Sequence, residues 1–292
     1  MILSRQNDWN YYFIRMNTKV LEVRFENVCP ELPDTLEELY ITSCRLNKPI
    51  PKLPSGLKKL VLYNVYVYKK TLRLELPDGL EELTVRYGSK ESADTIEIAV
   101  LPSDLKCLDL RWVFMNNNRL PTLPKTLETL VCFACNLVTL SPLPPALIVL
   151  DCSCNLLSYL PVLPNKLLWL DCGYNYLEYL PEIPPNIQHM RFNDNRLESV
   201  PTTLPCSLGY LRYNNCQNRE SKEEEIYNEE EVDYDAIPNE IDKWKEWSAK
   251  RTDTEYLESL MRQIADTYNG KGEAVGAVIR TIDKQLSKLR KA

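Results

Sequence analysis

Glycine, histidine and catalytic motifs are scarce in this sequence. It has only 8 glycines among 292 residues and a single histidine, His189. No Gly-rich phosphate-binding loop can be recognised, and the histidine has no serine or cysteine partner in a known catalytic motif. We therefore expect no cofactor, and we interpret the chain as one that catalyses no reaction.

Targeting signals and membrane segments are also missing. No apolar run approaches the roughly 18–20 residues that a membrane helix needs, and no Asn-x-Ser/Thr acceptor site occurs. Residues 1–16 mix charged with apolar side chains and lack the central apolar block of a secretory signal. The 10 cysteines follow the repeat described below rather than a disulfide framework. These features favour a reducing, cytoplasmic environment and no membrane partner.

An excess of positive charge is the third absence. Lysine and arginine total 35 against 41 acidic residues, a formal charge of −6. A nucleic-acid partner is therefore not expected. The content of 44% hydrophobic and 26% charged residues is that of a globular chain with a sizeable core.

A short repeat fills most of the chain. Leu-Pro or Ile-Pro recurs with spacings of 21, 23, 25, 22, 20, 20, 20 and 21 residues. The first residues of these pairs are Leu32, Leu53, Leu76, Leu101, Leu123, Leu143, Leu163, Ile183 and Leu204. A constant period of about 20 residues is typical of stacked repeats that share one continuous core.

The unit from Leu143 to Val162 shows the internal pattern most clearly. Its core positions spell L-x-x-L-x-L-x-x-N-x-L with cysteine at one leucine position, through Leu147, Leu150, Cys152, Asn155 and Leu157. The alternation predicts a short strand in each unit, and successive strands should form a parallel sheet. The asparagine is expected to bond buried backbone groups, and Asn175 and Asn195 repeat it, whereas Cys44, Cys135 and Cys216 replace it elsewhere.

The predicted fold is an α/β-type leucine-rich-repeat solenoid with a parallel concave β-sheet and a mostly extended convex side. Proline in every unit and the short period leave little room for a convex helix. The longer units carry TLRLEL (71–76) and TIEIAV (95–100), whose alternation predicts convex strands. The predicted domains are an N-terminal cap (1–30), whose partial repeat lies around Leu21, the solenoid (31–216), an acidic linker (217–238) and a small α-helical C-terminal module (239–292).

The unit LxxLPxLPxxLxxLxCxxN, best seen between Leu123 and Val200, resembles the bacterial effector type of leucine-rich repeat found in the YopM and IpaH families. The early units, such as the one from Leu46, are also similar to FNIP-type repeats. The resemblance covers roughly residues 21–216. It implies a leucine-rich-repeat fold and suggests action inside a host cell. About 75 residues follow the repeats, too few for the ubiquitin-ligase domain of IpaH proteins, so ligase activity is not implied.

The outward strand positions predict a partner-binding concave face. Trp169, His189 and Tyr210 are expected side by side, with Tyr174 and Arg191 close by. Exposed aromatic and arginine side chains are typical of interaction hot spots. The candidate partner-binding residues are Trp169, His189, Tyr210, Tyr174, Arg191, Arg212, Phe133 and Trp112. Two alternatives stay open: the C-terminal segment covers this patch, or the patch has no role.

Two cysteine features invite a catalytic or metal interpretation. Cys132, Cys152 and Cys172 recur every 20 residues, but they lack paired zinc-ligand spacing and are expected in the core. Cys107-Leu108-Asp109 matches a Cys-x-Asp motif of effector ligases but lies within a repeat strand. We expect neither a metal site nor a catalytic cysteine.

The C-terminal segment differs in composition from the repeats. Residues 217–235 hold nine acidic and two basic residues, which indicates a solvated linker or an acidic decoy for a basic partner. Amphipathic helices are predicted beyond Pro238, and they must pack on each other, on the solenoid, on a partner or, for the last one, on a membrane surface.

The favoured function is a non-catalytic scaffold or adaptor that binds another protein on the concave face. The alternatives are a structural component of a larger particle and, less favoured, a host-directed effector with an enzymatic tail. We place the chain in the cytoplasm, with the host cytoplasm as one option. The sequence does not indicate an oligomeric state.

Overall fold

A computed structural model of the chain describes residues 11–16, 19–27, 32–46, 50–67, 71–87, 95–198, 201 and 204–213. The chain divides into an N-terminal unit, Met1–Leu147, and a C-terminal unit, Ile148–Ala292. The predicted acidic linker (217–238) and helical module (239–292) lie outside the described residues, as do Cys216 and the first ten residues of the predicted cap.

Each repeat contributes one strand to a parallel sheet, as the alternating leucines predict. In the N-terminal unit the order is β1-β2-β3-β4-β6-β8-β10, and in the C-terminal unit it is β11-β12-β13-β14. The strands of these sheets are β1 Tyr11–Met16, β2 Val20–Asn27, β3 Glu38–Leu46, β4 Lys59–Val67, β6 Glu82–Arg86, β8 Cys107–Arg111, β10 Thr129–Phe133, β11 Val149–Asp151, β12 Trp169–Asp171, β13 His189–Arg191 and β14 Tyr210–Arg212. All pairings described within the two units are parallel except β1 with β2, which is antiparallel. The strand predicted around Leu21 is β2.

A second, smaller sheet lies in the N-terminal unit. Its parallel strands are β5 Thr71–Leu74, β7 Thr95–Ile98 and β9 Phe114–Met115, in that order. The first two coincide with the predicted convex strands, and their inward residues, such as Leu72 and Ile96, are buried. The 20-residue units of the C-terminal unit have neither such a strand nor a helix among the described residues, as their length and proline content predict.

The prolines have a defined role in every repeat. At all nine Leu-Pro or Ile-Pro positions, the proline carbonyl accepts a hydrogen bond from the backbone N–H three residues later, over 3.0–3.3 Å. The backbone of each repeat therefore turns at the proline. The turn places the first core leucine of the repeat, such as Leu147 or Leu167, in the core. These leucines are fully buried.

Asparagine or cysteine closes the turn after the strand. Asn175 Nδ2 donates to the carbonyls of Cys152, Cys172 and Gly173 over 3.0–3.2 Å, and its Oδ1 accepts from Leu157 N–H at 3.0 Å. Asn195 makes the equivalent bonds one repeat later. In the N-terminal unit the Cys135 thiol donates to the carbonyls of Leu110 and Phe133. Both predicted uses of this position are confirmed.

Candidate protein-recognition surfaces

Three rings stack across neighbouring strands of the C-terminal unit. Trp169, His189 and Tyr210 begin β12, β13 and β14 and lie opposite one another in the strand register. The Trp169 and His189 ring centroids are 3.4 Å apart at 5° between planes, and the His189 and Tyr210 centroids are 4.3 Å apart at 8°. Parallel strands repeat every ~4.8 Å, close to a stacking distance. We call these three residues the aromatic ladder.

The ladder is less exposed than the sequence suggests. Trp169 is only 8% exposed because His189 covers it on one side and it packs in a small cluster with Val149, Ile148 and Leu168. His189 and Tyr210 are half-buried. The expectation of a freely exposed tryptophan is therefore wrong. In-register stacking removes most of each ring face from solvent.

Stacking also changes the chemistry of the histidine. Burial, and secondarily the positive charge of Arg191, hold the pKa of His189 well below its ordinary value of 6.5. The imidazole is therefore neutral at neutral pH. Its Nε2 and the indole Nε1 of Trp169 are buried and have no hydrogen-bond partner among the described residues. The ladder is thus a flat, uncharged stack with two unsatisfied ring nitrogens.

Charged residues lie two positions further along the same strands. Asp171, Arg191 and Arg212 follow the ladder residues on β12, β13 and β14. Arg191 Nη1 bonds Asp171 Oδ2 at 3.0 Å, and Asp171 Oδ1 accepts the Gly173 N–H at 3.1 Å. Asp171 is opposite Arg191 in the strand register and only 3% exposed, so its carboxylate is buried beside that guanidinium. Its carboxylate anchors the following turn and one guanidinium.

Tyr174 lies in the turn after β12, half-buried. Its φ is +54°, and its N–H donates to the Asn193 carbonyl at 2.8 Å. A left-handed conformation is unfavourable for a bulky residue and is found mainly where surrounding contacts enforce it. Trp112, with φ of +56°, occupies the equivalent turn of the N-terminal unit.

The remaining predicted residues belong to the N-terminal unit. Phe133 ends β10 and is buried, with Trp112 against it edge to face at 5.3 Å between centroids and 81° between planes. Tyr87, which directly follows β6, is buried with its hydroxyl donating to the Val65 carbonyl at 2.8 Å. Tyr87 therefore supports the core and not a surface.

A row of arginines was missed by sequence reasoning. The last residues of β4, β6, β8 and β10 in the shared register are Tyr63, Arg86, Arg111 and Phe133. Arg86 Nη2 and Arg111 Nε both bond Asp109, the latter at 3.2 Å, and Asp109 is 2% exposed. Aligning the repeats on their second leucine would have placed both arginines in one row. We call Tyr63, Arg86, Arg111 and Phe133 the arginine row.

The cysteines are placed as predicted. Cys132, Cys152 and Cys172 form no disulfide with any described residue, have no exposed surface and fill core positions. Among the described residues, no group of three His, Cys, Asp or Glu side chains is arranged to hold a metal ion. Cys107 and Asp109 lie within strand β8. In the part of the chain that the structure describes, no helix is long and apolar enough to cross a membrane.

A repeating strand, proline turn and asparagine or cysteine turn define a leucine-rich-repeat solenoid. YopM from Yersinia enterocolitica WA-314 is similar to it with a TM-score of 0.50 and 27% identity, over 64% of this chain and 44% of that one. YopM, a leucine-rich effector protein from Yersinia pestis, is similar with a TM-score of 0.56 and 31% identity, over 64% of this chain and 50% of that one.

The chain is a YopM-like leucine-rich-repeat protein, which confirms the YopM resemblance read from its repeats. It spans half the length, or less, of the YopM chains that it matches. No protein-family model and no curated protein sequence matches it. The likeness to leucine-rich effectors favours a role in protein interaction.

Proposed function

We propose that this protein is a non-catalytic interaction scaffold that binds a partner protein through the aromatic ladder of its C-terminal unit. Arg191, Arg212 and Tyr174 border the ladder and contribute polar contacts. Like the leucine-rich effector protein from Yersinia pestis, this protein would act as an effector. It would act in the cytoplasm, which includes the cytoplasm of a host cell.

The unsatisfied ladder is the observation that carries the proposal. A buried polar atom without a hydrogen bond costs roughly 1–3 kcal/mol, and the ladder contains two, Trp169 Nε1 and His189 Nε2. Leucine at these positions would pack against its neighbours without the cost of an unsatisfied polar atom. Because the aromatic ladder keeps these two unsatisfied nitrogens, recognition of a partner explains it better than a contribution to folding stability. A partner offering an acceptor to the indole N–H would recover part of the cost once the rings shift to admit it.

Affinity purification from eukaryotic cell extract with quantitative mass spectrometry tests this proposal. Tyr210→Ala is the informative variant, since it removes the half-buried end of the ladder without emptying the core. Tyr179→Ala is the matched control, because Tyr179 is 58% exposed in the same unit but lies outside the ladder. We expect one partner to be depleted at least tenfold with Tyr210→Ala and retained with Tyr179→Ala.

Equal capture by both variants, with melting temperatures equal to wild type, would remove the ladder as the binding site. Aggregation of the wild-type chain when expressed alone would instead favour the structural-component alternative. A scaffold with a recognition surface should be soluble without its partner.

A further inference from the structure

Large apolar side chains are grouped on the surface of the C-terminal unit, beyond the turn that ends each repeat strand. Leu156 and Tyr159 of one repeat are equivalent to Tyr176 and Tyr179 of the next, 20 residues later. Leu156 is 37% exposed, Tyr159 is 41% exposed and Tyr179 is 58% exposed, whereas Tyr176 is half-buried. We call these four residues the tyrosine patch. Adjoining apolar side chains on a surface commonly mark an interaction site.

Backbone pairing between the two repeats brings the members of the patch together. The Tyr176 N–H donates to the Leu157 carbonyl at 2.8 Å, so the two segments lie side by side. Leu157 and Leu160 are buried, whereas the residues directly before them, Leu156 and Tyr159, are exposed. The next repeat has the same order of exposed and buried positions. The four side chains are therefore neighbours on one surface.

The fold does not require apolar residues at these positions. The equivalent residues are Asn136 and Thr139 in the repeat before the patch, and Arg196 and Ser199 in the repeat after it. The same repeat thus accepts polar side chains there, which interact favourably with water. Burial under another protein segment explains the tyrosine patch better than a contribution to the repeat core.

Carboxylates border the tyrosine patch. Glu178, Glu182 and Glu198 are exposed, and the Glu198 N–H donates to the Glu178 carbonyl at 3.1 Å. None of the three forms an ion pair with a described residue. Arg196 lies over the Tyr176 ring, with its guanidinium carbon 4.4 Å from the ring centroid. A segment that covers the patch should therefore combine apolar with basic side chains.

The chain carries such a segment outside the described residues. Within 275–291, apolar residues recur at helical spacing, through Val275, Val278, Ile279, Ile282, Leu286 and Leu289. The same segment holds five basic residues and one acidic residue, a charge of +4: Arg280, Lys284, Lys288, Arg290 and Lys291 against Asp283. An amphipathic helix of this size cannot bury its apolar stripe by itself.

The length of the intervening chain lets this segment reach the patch. Tyr213 is the last described residue and directly follows β14, two strands beyond β12 in the sheet order, a separation of ~10 Å. Residues 214–274 lie between Tyr213 and the segment. The acidic linker (217–238) alone can span up to ~70 Å when extended. Attachment to the same chain also gives the segment a high effective concentration at the patch.

We propose that residues 275–291 dock as an amphipathic helix on the tyrosine patch. The apolar stripe of the helix covers the tyrosine rings, and its basic side chains lie beside Glu178, Glu182 and Glu198. The patch lies beyond the strand turns, whereas the aromatic ladder lies at the strand starts, so docking leaves the ladder open to a partner protein. Docking does not depend on the function proposed for the ladder.

Photo-cross-linking in the purified full chain tests the docking. p-Benzoylphenylalanine replaces Tyr179, and peptides linked under ultraviolet light are identified by mass spectrometry. The sample mixes isotope-labelled with unlabelled chains, so links within one chain differ in mass from links between two. We expect links from position 179 to residues 275–291 of the same chain. The same amino acid at Tyr63, which is 44% exposed in the N-terminal unit, is the matched control and should not give these links.

Each other outcome overturns the docking. Links of mixed isotope composition would mean that a second copy of the chain covers the patch. Links to a different segment of the same chain would assign the patch to that segment. Without any link from position 179, the patch is an uncovered surface.

Charge reversal locates the contact on the acidic border. Glu178→Lys with Glu182→Lys should lower the yield of the cross-link about threefold, as expected for the loss of surface ion pairs. Lys284→Glu with Lys288→Glu in the same chain should restore it. Failure of this second pair to restore the yield would contradict the proposed contact.

Glu75→Lys with Asp78→Lys is the matched control for charge. It changes two exposed carboxylates of the N-terminal unit and alters the net charge by the same amount. An equal loss of yield in this variant would mean that the net charge of the chain, and not the border of the patch, attracts the segment.

Tyr179→Ala separates the docking from the proposed function. This variant should keep the partner that the ladder captures, while trypsin cleaves within 275–291 about fivefold faster than in the wild type, because the segment is released. Tyr210→Ala should lose the partner and leave the cleavage rate unchanged. Equal cleavage of Tyr179→Ala and wild type, with equal melting temperatures, would refute the docking and leave the ladder untouched.

Discussion

The two units of this protein hold their repeats together by different means at the starts of their repeat strands. In the N-terminal unit the residue before each of the strands β2, β3, β4, β6, β8 and β10 alternates in charge, through Lys19, Glu37, Lys58, Glu81, Lys106 and Glu128. Lys19 bonds Glu37 at 2.7 Å, and Glu81 bonds Lys58 at 3.1 Å and Lys106 at 2.7 Å. The C-terminal unit has Ile148, Leu168, Gln188 and Gly209 at that position and the aromatic ladder at the next.

The ion pairs of one unit and the buried hydrogen bonds of the other contribute different amounts to stability. The ion pairs are largely exposed, so solvent and salt screen them and each contributes little to stability. Asn175 and Asn195 of the C-terminal unit are buried and satisfy backbone groups of two repeats at once. The longer repeats of the N-terminal unit have a second sheet, so they need less stabilisation from the exposed ion pairs. The 20-residue repeats, without that sheet, depend on buried hydrogen bonds and stacked rings.

The largest expected effect comes from the core leucines that each unit contains. Leu170→Ala and Leu110→Ala each remove a fully buried side chain and should lower the free energy of unfolding by about 2–5 kcal/mol through the cavity left behind. Val162→Ala, at a position 85% exposed, should change it little. Thermal and denaturant unfolding measure all three. An unchanged midpoint for either leucine variant would invalidate the strand register.

Substitution of the turn residue should lower the free energy of unfolding by different amounts in the two units. Asn175→Ala removes bonds to three carbonyls and one N–H, so we expect a loss of about 2–4 kcal/mol from several unsatisfied buried groups. Cys135→Ala removes a single weak thiol donor and should cost about 1 kcal/mol or less. Chemical denaturation compares the two. Equal losses would mean that cysteine fully replaces asparagine and that the units do not differ in this respect.

The smallest expected effect is the pH dependence that the titration of His189 in the aromatic ladder produces. Because the pKa of His189 is lowered in the folded chain, the unfolded state binds the proton first as the pH falls below 6.5. Stability is therefore retained above that pH and lost as the pH falls toward the folded-state pKa. His189→Phe keeps a stacked ring without the titration. Melting temperatures between pH 7.5 and pH 5 should thus fall less steeply in this variant, and parallel curves would argue against a neutral buried imidazole.

Much of the fold followed from local patterns. The spacing of Leu-Pro, the alternation around Leu150 and the extra segments at 71–76 and 95–100 correctly predicted the strands, the turns and two strands of the second sheet, whereas its third strand, β9, was not predicted. The aromatic ladder was also located, because in-register repeats bring equivalent positions together. Its burial was not foreseen, since alternation assigns a residue to a face but says nothing of what covers it. Arg86 and Arg111 were overlooked for a related reason. Both pair with Asp109, which occupies a different position of the repeat.

Period, core positions and turn chemistry are thus encoded locally, because each depends on a few neighbouring residues whose conformational preferences act within one repeat. The pairing of outward side chains is not local. Whether Trp169 is open or stacked, and whether Asp109 bonds one arginine or two, depends on contacts between residues 20 or more positions apart. Those contacts form only when the repeats stack, since stacking brings equivalent side chains to one strand spacing and removes the water between them.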